Sequence, residues 1–326
     1  MNGIAMIFLF CINNAYSQNG STGKSFFRLS VDNDALILSN NATDWGYTSG
    51  ISIDFFYSAV KNRSDFFNWV NNLAGPNRVT TKRLALTQLI MAPQETSLTI
   101  PARNDYSYAG ALLALYSIHS ANPLKKINLQ SEWIIGLMGP LSFAQQTQNA
   151  FHRLIKDPLP MGWNYQLPTD LLVNYNVMAE KLILDNRFIG LVGSGELLLG
   201  SLTDGVSTHL LLQIGKNRRN YFSGLNGQYF AEKKPNISFF VKASTNLVFY
   251  NALLQGGLFN SQSPVHQKHS IYGTELSRQK ITGSLELKIL VSTRKFAATF
   301  SQKITSTEFK GYGPHSVGNI SVFKTL

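Results

Sequence analysis

Apolar and polar residues alternate with a period of two along much of the chain. That is the repeat of a strand whose two faces meet different surroundings. In ISIDFFY, Ile51, Ile53, Phe55 and Tyr57 share one face, Ser52 and Asp54 the other. NISFFVKAST sets Ile237, Phe239, Val241 and Ala243 against Ser238, Lys242 and Ser244. ITGSLELKILV sets Ile281, Leu285, Leu287, Ile289 and Val291 against Thr282, Ser284, Glu286 and Lys288. VNYNVMAEK sets Val173, Tyr175, Val177 and Ala179 against Asn174, Asn176 and Glu180. About twelve such segments are predicted, over 26–34, 48–57, 83–91, 107–117, 129–138, 170–183, 187–199, 207–215, 236–250, 280–292, 295–305 and 315–324. Each is near the ~9–11 residues of a tilted membrane strand, and an even number closes a barrel without exposed edges. A soluble sandwich or lipocalin-like barrel also alternates. Twelve long strands with polar inner faces favour an all-β fold, a twelve-stranded antiparallel transmembrane β-barrel.

One segment breaks the period. GPLSFAQQTQNAFHRLIKDP lies between the turn signals Gly139-Pro140 and Asp157-Pro158 and has helical spacing. It lies in the connection 139–169; 58–82, 216–235 and 251–279 are also long. Ala144, Phe151, Leu154 and Ile155 predict a buried stripe, with Gln145, Gln148 and His152 on a neighbouring face. Gln148 and His152 are i and i+4, so a glutamine carbonyl can accept the imidazole Nδ1–H and leave Nε2 as a base. On spacing alone, the plainer reading, that the pair merely decorates a loop helix, is the stronger one.

Composition narrows the setting. Charged residues make up 14% of the chain, against ~25% in soluble proteins, so part of the surface is expected to meet lipid. The start, MNGIAMIFLFCINNAYSQNG, has an apolar core, Ile4–Ile12, too short to span a bilayer, followed by Ala15-Tyr16-Ser17. It reads as a signal peptide, 1–17, leaving 18–326 as the barrel domain. Cys11 is the only cysteine, so its removal leaves neither a disulfide nor a cysteine nucleophile. The net charge of +11 suits lipopolysaccharide phosphate or anionic lipid, or simply a solvated basic surface; nucleic acid is not expected.

Oxygen-bearing side chains gather where the first hairpin turns: Asp32, Asn33 and Asp34 on one strand, then Asp44, Thr48 and Ser49 on the next. Carboxylate, amide and hydroxyl oxygens suit a hard cation such as Ca²⁺. Alternation sends Asn33 and Asp34 to opposite faces, so a shared site requires a bend or bulge. A polar tip with Asx-turn chemistry is the alternative. His266 and His269 are too sparse for a metal, and His119 and His209 read as surface residues. No phosphate loop, HExxH or GxSxG occurs.

The ordered stretches NDAL, DWGYTSG, QLIMAP, DYSYAG, GLMGP, QNAFH, PMGWNYQ and EFKGYGPHSVGNISVF, spanning about 26–323, resemble the lipid A deacylases of Gram-negative outer membranes. That family removes the 3′-acyloxyacyl chain of lipid A. The resemblance implies a twelve-stranded barrel acting as a monomer on lipopolysaccharide, with its site between the wall and a loop helix. It implies His152 as water-activating base, Gln148 as its orienter, Thr48 as a further catalytic residue and Asn33 and Asp34 as Ca²⁺ ligands. Arg103, Asp105 and Trp163 are the candidate substrate contacts. The family commonly reads RPYAG where this chain has Tyr106-Ser107-Tyr108-Ala109-Gly110, so Arg103 is the candidate replacement for the missing basic residue. Two rival readings stay open here: a passive porin or structural barrel, and an outer-membrane phospholipase with Ser49 as nucleophile.

Overall fold

The computed structural model describes residues 25–38, 46–58, 68–215, 235–267 and 270–326. The expected signal peptide with Cys11, together with Asp44 and His269, lies outside them. Twelve antiparallel strands close into a barrel in chain order, β1 pairing with β12. They are β1 (Phe26–Asn33), β2 (Gly46–Ser58), β3 (Val79–Ala92), β4 (Ala109–Asn122), β5 (Ile127–Met138), β6 (Asp170–Asp185), β7 (Ile189–Gly200), β8 (Thr203–Ile214), β9 (Asn236–Asn251), β10 (Ile281–Ser292), β11 (Phe296–Thr305) and β12 (His315–Thr325). Among the described residues three α-helices interrupt the connections: α1 (Trp69–Asn72), α2 (Ala144–Ile155) and α3 (Ala252–Gln255). No described helix is long and apolar enough to cross a membrane.

All twelve expected strands are present; β4 runs on to Asn122 rather than ending at 117, and its partner is longer too. β3 begins at Val79 rather than at 83, because Thr80 and Thr81 continue the ladder opposite Ser120 and His119. Burial is inverted relative to a soluble protein. Leu285, Leu287 and Ile289 point outward and are exposed, whereas Asp54, Asn174, Glu180 and Ser301 are buried inside. That is the pattern of a barrel bathed in lipid. His119 and His209 are also buried, correcting their reading as surface residues. Both sit on inward positions of their strands, and His209 Nε2 lies 3.4 Å from Glu196.

The lumen is neutralised by alternating charges. Arg28 Nε lies 2.8 Å from Asp54 Oδ2, Arg83 Nε 2.7 Å from Asp54 Oδ1, and Arg83 Nη1 2.9 Å from Glu132 Oε2. Asp54 is therefore shared by two guanidinium groups and fully enclosed. Asp54→Ala removes the carboxylate that Arg28 and Arg83 share, leaving Arg83 to Glu132 alone, and is expected to destabilise the barrel by about 3–5 kcal/mol, read as a lowered unfolding temperature.

The longest connections, 139–169 and 252–280, leave the same end of the barrel. Longer loops mark the extracellular end. There the mouth is filled by an apolar cluster including Met91, Tyr106, Leu113, Met138, Leu253 and Phe309. The sequence did not reveal this plug, because its members come from six separate elements and loops. It argues against an open pore at this end.

Candidate active site on the outer wall

β1 ends at Asn33, whose Oδ1 accepts the N–H of Ala35 at 2.8 Å and so caps a short 3-10 turn, Asp34–Leu36. Asn33 shares the outward parity of Val31, while Asp32 faces the lumen and accepts from Tyr47 at 2.7 Å. The turn then swings Asp34 to the same outer cavity as Asn33. Asp34 is brought round by this turn rather than by a bulge. The bulge lies in β2 instead, where the register with β3 shifts between Tyr47 and Ser49. The extra residue is Thr48, which is buried and lines the cavity. Bulges commonly re-aim a side chain in this way.

The opposite wall is α2. It lies outside the barrel, over β3 and β4. Gln88, an outward residue of β3, donates to the Ser142 carbonyl at 2.6 Å and ties down the approach to the helix. Gly110, outward on β4, provides the clearance. A Cβ there would stand 2.2 Å from the Ala144 Cβ and 2.4 Å from the Ser142 Oγ. Ala144, Ile90, Tyr108 and Trp163 form the cluster that seats the helix. The expected buried stripe is only partly so: Ala144 is buried, but Leu154 and Ile155 are exposed. A helix on the outer wall turns its apolar side to lipid as well as to protein.

The expected contact between Gln148 and His152 is not made. Gln148 Oε1 instead accepts the Trp163 indole N–H at 2.8 Å. His152 Nδ1 is held by the Pro158 carbonyl at 2.7 Å and by Asp157 Oδ2 at 2.9 Å. Both partners are acceptors, so Nδ1 carries the proton and Nε2 keeps a lone pair. The consequence anticipated for Gln148 is thus achieved by other groups. The end of α2 explains it. Lys156 is left-handed, with φ of 60°, Asp157 N–H bonds the His152 carbonyl at 2.9 Å, and Lys156 N–H bonds that of Arg153. This Schellman closure folds Asp157 and Pro158 back beside the imidazole.

The cavity between wall and helix measures about 270 Å³. Asn33, Asp34, Thr48, Gln148, His152 and Asp157 supply its polar lining; Val31, Ile51, Ile90, Phe151 and Ile155 supply its apolar lining. Ser49 also lines it, but its hydroxyl donates to the Asp32 carbonyl at 3.1 Å. No group of three His, Cys, Asp or Glu residues suited to a metal occurs among the described residues. One carboxylate with amide and hydroxyl oxygens still fits Ca²⁺, which accepts neutral oxygens and water.

The family model described as outer membrane protein LpxR matches residues 4–326. The chain belongs to the LpxR family. It is therefore an outer-membrane protein. Among solved structures, LpxR from Salmonella typhimurium aligns with a TM-score of 0.72 at 16% identity, over 92% of this chain and 100% of that one. The β domain of the Bordetella autotransporter BrkA aligns at 0.45 and 7% identity, over 94% and 100%. The translocator domain of NalP from Neisseria meningitidis aligns at 0.42 and 7%, over 99% and 95%. At such scores these two carry no weight. No curated protein sequence matches.

In this LpxR-family barrel the three candidate substrate contacts lie elsewhere than in the cavity. Trp163 is buried against Tyr108, with ring centroids 4.8 Å apart, and serves to position Gln148. Burial pushes the Tyr108 phenol up to about 12, so it stays neutral beneath the indole. Asp105 accepts the N–H groups of Gln94 and Glu95 and the Tyr312 hydroxyl, stapling its loop. Arg103 donates to the Ser270 carbonyl, tying that loop to the one after β9. Tyr106, at the family's basic position, is buried in the mouth cluster and lies 3.0 Å from Glu308. Burial first, then Glu308, raises its pKa, so it donates as a neutral phenol. Gln88, Gly110 and Asp157 were not singled out by sequence reasoning. Only Asp157 had a local signal, the Asp-Pro stop five residues after the histidine.

Gly110→Val is expected to push α2 off the wall. Deacylation should fall about a hundredfold, the scale of a ~1 Å misplacement, while heat-modifiable gel mobility stays that of a closed barrel. Unchanged turnover would detach the helix position from catalysis.

Proposed function

We propose that this chain is a Ca²⁺-assisted, monomeric lipid A deacylase, a carboxylic ester hydrolase that cleaves the 3′-acyloxyacyl ester by attack of water. The observation that supports it is a single cavity shared by the imidazole of α2 and the oxygens of the β1–β2 tip, on the face of the barrel that meets lipid. A lumenal pore has no use for a site there. An amphiphile in the outer leaflet can present its ester to the polar lining while its acyl chains stay against Val31, Ile51, Phe151 and Ile155.

In this reading His152 Nε2 accepts a proton from water as its oxygen bonds the ester carbon. Asp157 and the Pro158 carbonyl hold Nδ1–H, and the carboxylate stabilises the imidazolium that forms. The proton then passes to the departing sugar oxygen, the ester C–O bond breaks, and a fatty acid and a free hydroxyl result. Gln148, its Oε1 engaged by Trp163, keeps its amide N–H groups to donate to substrate. Asp34, with the Asn33 amide oxygen and the Thr48 hydroxyl, would hold Ca²⁺, which when bound stabilises the developing oxyanion as a Lewis acid. Ser49 is a poorer candidate, since its proton is committed to a backbone carbonyl rather than to His152.

Purified chain incubated with lipid A in detergent should release fatty acid when Ca²⁺ is present and stop in excess EGTA. Undiminished release under chelation would remove the cation from the mechanism; no release under either condition would remove the activity.

A further inference from the structure

The opposite end of the barrel carries an outer surface that the deacylase reading does not use. Tyr116, Trp133 and Tyr175 stand side by side on the outward faces of β4, β5 and β6, with the Trp133 and Tyr175 rings 4.4 Å apart. The row crosses the middle of these strands. Towards the opposite end of β3, β4 and β5, the outward residues Thr80, Ser120 and Ser131 are polar. Thr80 and Ser120 hydrogen-bond each other at 3.0 Å, and Ser131 donates to Asn71 at 2.6 Å. All are buried, because α1 lies over them on the outer wall. Asn71 also donates to the carbonyls of Ile118 and Leu129. A helix held outside a barrel by side-chain bonds to its backbone is a built feature, and it leaves Trp69 and Leu73 exposed.

Cations converge on the turn that follows α1. Arg78 Nη1 donates to the Gly75 carbonyl at 2.9 Å. Gly75 has φ of 92°, and the Lys125 ammonium sits 2.9 Å from where its Cβ would be. Lys181 donates to the Lys125 carbonyl at 2.8 Å. Lys82 lies 5.8 Å from the Tyr116 ring. Among the described residues none of these four forms an ion pair. On the neighbouring strands, Glu132 is engaged in the lumen by Arg83 and Glu180 by Asn128, and Asp185 stands exposed at the end of β6.

We propose that this surface, on the outer wall around α1, binds the phosphate of an anionic glycerophospholipid of the inner leaflet. Arg78, Lys125 and Lys181 meet the phosphate, Lys82 adds charge at the aromatic row, and Trp69 and Leu73 lie along the acyl chains. Charge complementarity and depth choose the occupant. Arg78 and Lys125, with no ion pair among the described residues, lie in the turns at this end of the barrel, beyond the strand ends, where the periplasmic leaflet supplies phospholipid headgroups. The site is separate from the cavity under α2, so it stands or falls independently of the deacylase reading.

Native mass spectrometry of the purified full chain, titrated in detergent with phosphatidylglycerol or phosphatidylcholine, tests this. Phosphatidylglycerol is expected to bind more tightly. The Lys125→Gln, Lys181→Gln double variant should lose about thirtyfold and Lys125→Gln alone about fivefold in affinity for it. The single variant decides the matter if the double variant does not fold, which gel mobility reports. Arg294→Gln with Lys295→Gln, at the turn between β10 and β11, should change nothing. Equal binding of the two lipids, or full affinity in the lysine variants, would overturn the proposal. So would displacement of the lipid by millimolar inorganic phosphate, which would assign the cations to a soluble anion.

Discussion

His152→Ala is expected to lower kcat for deacylation by about a hundredfold to ten-thousandfold, the usual contribution of a positioned general base. The imidazole is only partly buried, at 15% side-chain exposure, and makes its two contacts at the surface end of α2. Its removal therefore leaves the barrel and helix intact, and the loss should fall on kcat rather than on folding. Asp157→Asn is expected to cost less, because the Pro158 carbonyl still holds the Nδ1–H. The double variant of His152 and Asp157 should be no worse than His152→Ala, since Asp157 acts only through the ring. A further loss in the double variant would give Asp157 a separate role. Full activity in His152→Ala would leave the chemistry to some other group.

Asp34→Ala is expected to lower deacylation about a hundredfold to a thousandfold, comparable with removing one stabilising group from an oxyanion site. Among the described residues, Asp34 is the single carboxylate at the β1–β2 tip that reaches the cavity, since Asp32 is turned into the lumen and bonded to Tyr47 and Asn319. Asp34→Asn keeps an oxygen donor without the charge. Its activity should recover in part as Ca²⁺ is raised into the millimolar range. Activity that is low and indifferent to Ca²⁺ would make Asp34 a structural residue of the 3-10 turn instead.

The barrel was legible because its strands largely keep one rule: lipid-facing residues are apolar and alternate with mostly polar lumenal ones. The reading faltered where that rule breaks. Thr80 and Lys82 face outward but are polar, one beneath α1 and one against Tyr116, so the start of β3 looked like loop. The helix was legible from its spacing and turn signals. Its environment was not, because a stripe that reads as buried in a soluble protein is equally content in lipid, as Leu154 and Ile155 show.

The candidate site was legible as residue types rather than as bonds. Asn33, Asp34, Thr48, Gln148 and His152 do line one cavity. The hydrogen bond assigned from i, i+4 spacing lost to two tertiary competitors: the Trp163 indole for Gln148, and the Asp157–Pro158 turn for His152. Spacing shows which side chains can touch, not which partner arrives first from a distant loop. Gly110 was equally silent, because its meaning lies in Ala144, a residue on another element altogether.

Mass spectrometry of lipid A from cells expressing the unaltered chain, and in parallel His152→Ala, tests most directly whether the outer-wall cavity is a working deacylase site. The unaltered chain should yield lipid A lighter by one acyloxyacyl group, and the variant, inserted to the same level, should yield lipid A of full mass. Intact lipid A in both, or the same lightened species in both, would contradict the account.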